Sequence, residues 1–352
     1  MSLETRGPSV AGCSIRLATA NDEKHWNQYV KDHEQGSFFH RFEWQNVLSD
    51  ALGHSSHYLV AENPEGKLVG LMPLMEMRSL LFGHSLVSNP FATYGGALAH
   101  SPAVREALGE RAASLAHSLG VGSLELRLRD PGTSGRPVKL LYECFYKDLA
   151  PDPEVNLKAI RSKQRNIIRK GSKAGLFSRE VSVEQFYAVY SESVRNLGTP
   201  VFKRALFEKI LEAFPENTEC IGVWHETKLM SAAMLFYHGE EVCPYFWGGT
   251  YAARKYSAND FLAWELINRA AGRGCKRFDF GRSKRETGAY QWKINLGFEP
   301  RQLYYEYELV KDAKMPEVNP NNPKYKLFIG LWKKLPLPVS QILGGWISSS
   351  LG

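Results

Sequence analysis

The chain has 352 residues, no Cys-x-x-Cys pair and only five cysteines, Cys13, Cys144, Cys220, Cys243 and Cys275, widely spaced. An odd number at such spacing argues against a disulfide framework and a cysteine zinc site. The histidines, among them His54, His57, His225 and His238, form no ligand set, so no metal is expected. No run approaches the roughly 18 apolar residues that span a bilayer. The segment before Ser14 has neither the basic nor the apolar region of a secretory signal. A cytoplasmic protein is the expectation. What is present is 43% hydrophobic and 12% aromatic residues, enough for two ordinary cores.

Acidic residues are missing from one long stretch. Between Glu154 and Glu180 there are none, but there are Lys158, Arg161, Lys163, Arg165, Arg169, Lys170, Lys173 and Arg179. Much of the net charge of +7 is concentrated here. The pattern reads as a basic helix from about Glu154 to Lys170, ended by Gly171. Lys158, Arg161, Arg165 and Arg169 recur at spacings of three and four and give one cationic face. Such a face suits a polyanion: RNA, a nucleotide-linked substrate or anionic lipid. A solvated basic face is the bland alternative.

The order of elements repeats. The first half has a strand from His57, a turn at Asn63–Gly66 and a strand from Lys67. A third strand runs to Thr93-Tyr94-Gly95-Gly96, followed by a helix from about Pro102 to Ser118 and the strand Leu124–Leu128. The second half has strands from Glu219 and from Lys228, then Trp247-Gly248-Gly249-Thr250. A helix from about Asn259 to Gly272 and the strand Arg277–Phe280 follow. The two Gly-Gly pairs lie about 150 residues apart, too long a period for a solenoid, so a duplicated domain is expected. Hairpins followed by a helix and a further strand give an α/β fold of two tandem domains with mixed sheets flanked by helices. The boundaries expected are 1–150, 151–312 with the basic helix at its start, and a tail, 313–352. The tail opens with a turn-rich stretch, Asn319 to Pro323. Beyond it Leu327, Phe328, Leu331 and Trp332 fall at helical spacing beside lysines, while Pro336 and Pro338 forbid one long helix. The tail suits peripheral membrane contact, packing on its own domain, or a dimer contact.

The stretch FDFGRSKRETGAYQWKINLGFEP, from Phe278 to Pro300, begins as a buried strand and stops at Gly281. Arg282, Lys284 and Arg285 then enter a loop, and Lys293 lies among aromatics. A strand ending in glycine and a cationic loop make an anion site. A strand, a Gly-Gly bend and a helix start, arranged twice, resemble the acetyltransferase-type (GNAT) fold, whose helix N-terminus receives the phosphates of an acyl donor. The glycines that let coenzyme A approach there are absent: the corresponding stretches are Arg254–Asn259 and His100–Ala103.

Two tandem domains of this kind resemble the Fem family of aminoacyl-tRNA-dependent peptidyl transferases, over about residues 15 to 310. The resemblance rests on Ser37–Trp44, on the basic run Lys163–Gly175, and on the aromatic-lysine segment Tyr290–Phe298. The likeness extends to Fem-like proteins of bacterial exopolysaccharide and exosortase (PEP-CTERM) systems, through Asn89–Gly96, Asn196–Phe202 and Phe278–Tyr290. It also implies a BioF2-like acetyltransferase domain. Leu48 stands where the family often has a lysine, and the long coiled-coil arm of some members is missing.

The resemblance implies an acyl or aminoacyl transferase acting on an amine, for cell-envelope or exopolysaccharide assembly. The catalytic candidates are Lys293, beside the developing oxyanion, and Asp279, orienting the amine or taking its proton. Arg282 and Lys284 would bind phosphate, with Trp292, Tyr290, Tyr94, Thr199 and Trp247 lining the substrate cleft. Lys158, Arg161, Arg165 and Arg169 would meet tRNA. No tightly bound cofactor is implied; the donor is aminoacyl-tRNA or acyl-CoA. The acceptor is a nucleotide-linked or lipid-linked sugar or peptide, met at the inner membrane surface. Plainer readings stand beside these: Asp279 as a structural carboxylate, Lys293 as an exposed lysine, Asn259 and Asp260 as N-caps. The rival functions are an acyl-CoA-dependent N-acyltransferase and a non-catalytic component that docks polysaccharide machinery at the membrane.

Overall fold

The computed structural model describes residues 12–79, 83–315 and 323–350, with side chains from 327 onward in the last segment. The expected turn-rich linker therefore lies largely outside the described residues. The fold is mixed α/β, as expected, in two compact units that divide at Leu141/Tyr142 and at Arg301/Gln302. The sequence pattern placed the divisions at 150/151 and 312/313. The earlier position follows from pairing: the strand Tyr142–Asp148 joins the second unit's sheet, while Tyr304–Leu309 joins the first unit's.

The first unit holds a four-stranded antiparallel sheet in the order Ser14–Leu17, Leu59–Glu62, Leu68–Met72, Leu98–Ala99. Its second, six-stranded sheet contains the parallel pair Gly83–Val87 and Ser123–Leu128. The helix Pro102–Leu119 starts at Ser101, whose hydroxyl accepts the Val104 N–H, and stops at Gly120 in a left-handed conformation. It buries Val104, Leu108, Ala112 and Leu115 against Leu59, Leu86 and Leu124. Tyr94-Gly95-Gly96 is not a strand end here. The chain leaves the strand after Val87, because Asn89 and Phe91 take positive φ angles of 50° and 62°.

The second unit is built on a seven-stranded sheet ordered Leu176–Glu180, Thr218–His225, Lys228–His238, Glu241–Gly249, Arg277–Lys284, Tyr142–Asp148, Glu299–Gln302. Strand alternation serves two cores. Phe236 and Phe246 meet Phe186, Tyr190 and Phe207 of the helices Val183–Leu197 and Arg204–Ala213. Leu235, Tyr237 and Val242 belong to the other core, with Leu262, Leu266 and Ala270 of the helix Ala258–Gly272.

The basic segment is two helices, Pro153–Lys158 and Ser162–Lys173, not one. The break is held by Arg165, whose guanidinium donates to the carbonyls of Lys158 at 3.1 Å and Ile160 at 2.6 Å. Gly171 does not end the second helix. It lies buried within it, against Leu176 and Phe261, where a side chain would make tight contacts of 3.2 to 3.4 Å. The tail is likewise two helices, Pro323–Trp332 and Leu337–Ile347. Among the described residues no helix is long and apolar enough to cross a membrane.

Candidate active site

The site is built where two parallel strands part. Glu241–Gly249 pairs with Arg277–Lys284 only at Glu241↔Arg277 and Val242↔Phe278. Each strand then breaks its ladder. On the first, Pro244 and Phe246 face successive partners Leu235 and Met234, leaving Tyr245 as a bulge; Pro244 has no N–H to give the ladder. On the second, Cys144 faces Arg282 while Tyr146 faces Asp279, so Phe280 and Gly281 share one position. Gly281 takes φ +64°, which a residue with a side chain adopts only with strain.

The bulge turns backbone carbonyls off the ladder, and Lys293 takes them. Its Nζ donates to the carbonyls of Phe280 at 2.6 Å, Gly281 at 3.1 Å and Arg282 at 3.3 Å. These three bonds use all three ammonium hydrogens. Lys293 is 7% exposed, between the rings of Phe145 and Phe280, and burial pushes its pKa down to about 8. It is neither exposed nor aimed at open space. Asp279 is fully buried; its Oδ1 accepts the Gly281 N–H at 2.7 Å and the Cys144 thiol at 3.1 Å. Burial and the Asp279 charge push that thiol well above its ordinary pKa.

Arg282 and Lys284, two residues apart on the strand, share a face, and both cations lie over the ring of Tyr142, at 4.5 and 5.6 Å. Tyr290 donates its hydroxyl to Glu143 at 2.6 Å, a bond that raises the phenol pKa; Glu143 also pairs with Arg285. Glu143, 5% exposed, was not singled out from the sequence. The available signal was an acid next to the apolar Cys144-Phe145, since an acid is rarely buried unless paired.

Trp247, Phe280 and Trp292 form an aromatic wall, with ring centroids 5.2 to 5.7 Å apart. Both indoles are anchored to the start of the helix Ala258–Gly272. Trp247 donates to Asn259 at 3.1 Å and Trp292 to Asp260 at 2.7 Å. Neither acceptor is the N-cap, which is Ser257 at φ +56°. Gln164, from the basic helix, also donates to Asp260. Burial raises the Asp260 pKa, against the opposing pull of those two hydrogen bonds.

The cationic residues reach the same region. Arg161 donates to Asn295, at the end of the helix Gly288–Asn295 that carries Trp292 and Lys293. Lys158, Arg161 and Arg169 are exposed; Arg165 is half-buried and committed to the helix break. Tyr94 lies in the first unit, 1% exposed, with the Arg129 guanidinium 3.7 Å from its ring centre. Thr199 is exposed just past the left-handed Gly198 that ends Val183–Leu197. Among the described residues no cluster of histidine, cysteine or carboxylate could hold a metal ion.

Residues 158–294 match the family model of the acetyltransferase (GNAT) domain. They span the second basic helix, the parting strands and Lys293. The protein is an acyltransferase. Solved structures share the fold across both units. FemX is 12% identical, with 90% of this chain and 99% of that one covered and a TM-score of 0.62. The C-terminal domain of a protein assigned as a lysylphosphatidylglycerol synthetase, from Agrobacterium fabrum, is 16% identical over 82% and 92% of the two chains, TM-score 0.54. A tandem GNAT protein from the clavulanic acid biosynthesis pathway is 12% identical over 86% and 100%, TM-score 0.53. A search of curated proteins finds no match.

Proposed function

We propose that the protein transfers an aminoacyl group from aminoacyl-tRNA to an amine acceptor, with Fem-like chemistry. The observation that carries this reading is Asp260. Its carboxylate, fixed by Trp292 and Gln164, occupies the first turn of the helix where a GNAT enzyme would receive the diphosphate of its donor. A negative charge there opposes a second one, whereas Lys158, Arg161 and Arg169 offer exposed positive charge to a longer polyanion. The likeness to FemX supports the same reading.

In the reaction the acceptor nitrogen attacks the ester carbonyl, a C–N bond forms, the C–O bond to the ribose breaks, and the amine proton passes to the leaving oxygen. Lys293 and Asp279 serve this chemistry by position: they fix the bulge that aims Arg282 and Lys284, which receive an acceptor phosphate. We place the acceptor, a lipid- or nucleotide-linked sugar or peptide, in cell-envelope or exopolysaccharide assembly of the exosortase-associated (PEP-CTERM) type, at the cytoplasmic face of the inner membrane. A second reading, an acyl-CoA-dependent N-acyltransferase, is favoured by the GNAT domain itself.

The test is donor binding at two salt concentrations. Salt-sensitive binding of aminoacyl-tRNA, weakened by Arg161→Glu with Arg169→Glu, is expected. Saturable acetyl-CoA binding without tRNA affinity overturns the tRNA donor in favour of the second reading.

A further inference from the structure

The helix Leu337–Ile347 is amphipathic the wrong way round for a water-facing surface. Its small residues Ser340, Gly344 and Gly345 are buried. Gly344 lies on the backbone of Val201, Gly345 on the stem of Lys203, and Gln341 donates to Ser191 at 2.9 Å. A side chain at either glycine would force the helix off this seat. Its large apolar residues point outward instead: Ile342 is 65% exposed and Trp346 75%, with Val339 and Leu343 beside them. The preceding helix, Pro323–Trp332, does the same. Trp332 and Ile329 face the protein, Ile329 against Gly198, while Leu327 and Leu331 are 67% and 59% exposed. Seven of the fourteen large apolar side chains exposed among the described residues lie between Leu327 and Trp346. A cluster of this kind marks an interaction surface rather than scattered exposure.

Charge selects what covers it. From Val318 to Gly352 the sequence has four lysines and no acidic residue, and Lys333 and Lys334 are exposed between the two helices. A second copy of this face would bring lysines against lysines with no carboxylate of the tail to meet them. An anionic leaflet supplies the complementary charge, and apolar side chains beside lysines are what an interfacial helix inserts at the headgroup boundary. Helices of 10 and 11 residues are too short to span and long enough to lie flat. We infer that the two tail helices are a docking face for an anionic phospholipid bilayer, inserted through their outward-facing large apolar residues. This gives a physical basis to the membrane location proposed above but does not depend on the identity of the donor.

The experiment is co-sedimentation of the full chain with vesicles of phosphatidylcholine containing phosphatidylglycerol, and with phosphatidylcholine alone. Binding is expected only to the anionic vesicles, and should weaken as salt rises. Ile342→Glu with Leu343→Glu, both exposed and so tolerated by the fold, should weaken it more than tenfold, as should Lys333→Glu with Lys334→Glu. Leu140→Glu, an exposed apolar position elsewhere, should leave it unchanged. Thermal melts of each variant verify folding. Equal binding to neutral vesicles overturns the anionic assignment. Unchanged binding by the Ile342/Leu343 variant, or a wild-type dimer that this variant dissociates, overturns the docking face itself. Vesicle binding needs no turnover, so a chain that binds vesicles yet transfers nothing fails the transferase reading and not this one.

Discussion

The Lys293 Nζ lies 2.6 Å from the Phe280 carbonyl oxygen, at the point where the strand Arg277–Lys284 leaves its ladder. The bond and its two companions to Gly281 and Arg282 replace pairing that the bulge removes. Losing the ammonium would take a donor from three carbonyls, those of Phe280 and Gly281 buried, and an unsatisfied buried polar group costs about 1–3 kcal/mol. Lys293→Ala should therefore lower unfolding stability by about 3 kcal/mol or more. Lys293→Gln, which restores part of the donor set, should recover some of that loss. Denaturant midpoints at neutral pH measure it; a wild-type midpoint for Lys293→Ala would sink the clamp.

The same buried ammonium makes stability depend on pH in a defined direction. Burial holds Lys293 at about 8, below the roughly 10.4 of a lysine in an unfolded chain. Across that window the unfolded chain binds more protons than the folded one, so this contribution to stability rises with pH. The cost of burying the charge is complete below about pH 8 and fades above it. The buried thiols of Cys144 and Cys243, pushed upward in pKa, act oppositely above about pH 9 but remain in both proteins being compared. The stability difference between wild type and Lys293→Met should accordingly widen from pH 8 to 10. A difference that stays flat removes the titrating lysine from the account.

Asp260 gives a sharper handle on the donor. Asp260→Asn retains an acceptor for the Trp292 indole while removing the charge at the helix start. If that charge is what opposes a diphosphate, the variant should bind acetyl-CoA severalfold more tightly and bind tRNA as before. Calorimetric titration of both donors reads the outcome directly. Acetyl-CoA affinity that falls, or does not move, would mean that the carboxylate plays no part in donor choice.

Local chemistry predicts the elements that end on local signals. The helices Pro102–Leu119 and Ala258–Gly272 fall within a residue of their expected spans, because periodicity and glycine stops act within a few residues. The break between Lys158 and Ser162 has no such signal. It depends on Arg165 reaching back and on the Arg161 N–H donating to the carbonyl of Asn295, 134 residues away. Glu143 and its partners were hidden for the same reason: strand pairing sets Glu143 opposite Ser283, and no periodicity within either strand announces it. The aromatic-lysine segment drew attention to Lys293 and Trp292, but only the bulge at Phe280–Gly281 explains what Lys293 holds. His57 and His84 likewise meet on Glu76, at 3.0 and 2.7 Å, through strands whose pairing the sequence does not display.

Arg165 and Arg169 stand on one helix with the same charge and should respond to substitution in opposite ways. Arg165 is half-buried, and its guanidinium closes the helix break through the Lys158 and Ile160 carbonyls. Arg165→Glu removes both bonds and puts a carboxylate against carbonyl oxygens, so it should cost about 2 kcal/mol of stability. Arg169 is exposed, with a 3.5 Å contact to Asn166 within its own helix, and Arg169→Glu should leave the unfolding midpoint nearly unchanged. For tRNA the expectation reverses. Arg169→Glu should weaken binding and flatten its salt dependence, because one phosphate contact is lost and another repelled. Arg165→Gln, which keeps a donor for the carbonyls without the charge, should bind tRNA nearly as wild type does. Equal effects of Arg165→Gln and Arg169→Glu on the salt slope would show that the two arginines belong to one cationic surface and that Arg165 is not set apart by its place in the fold.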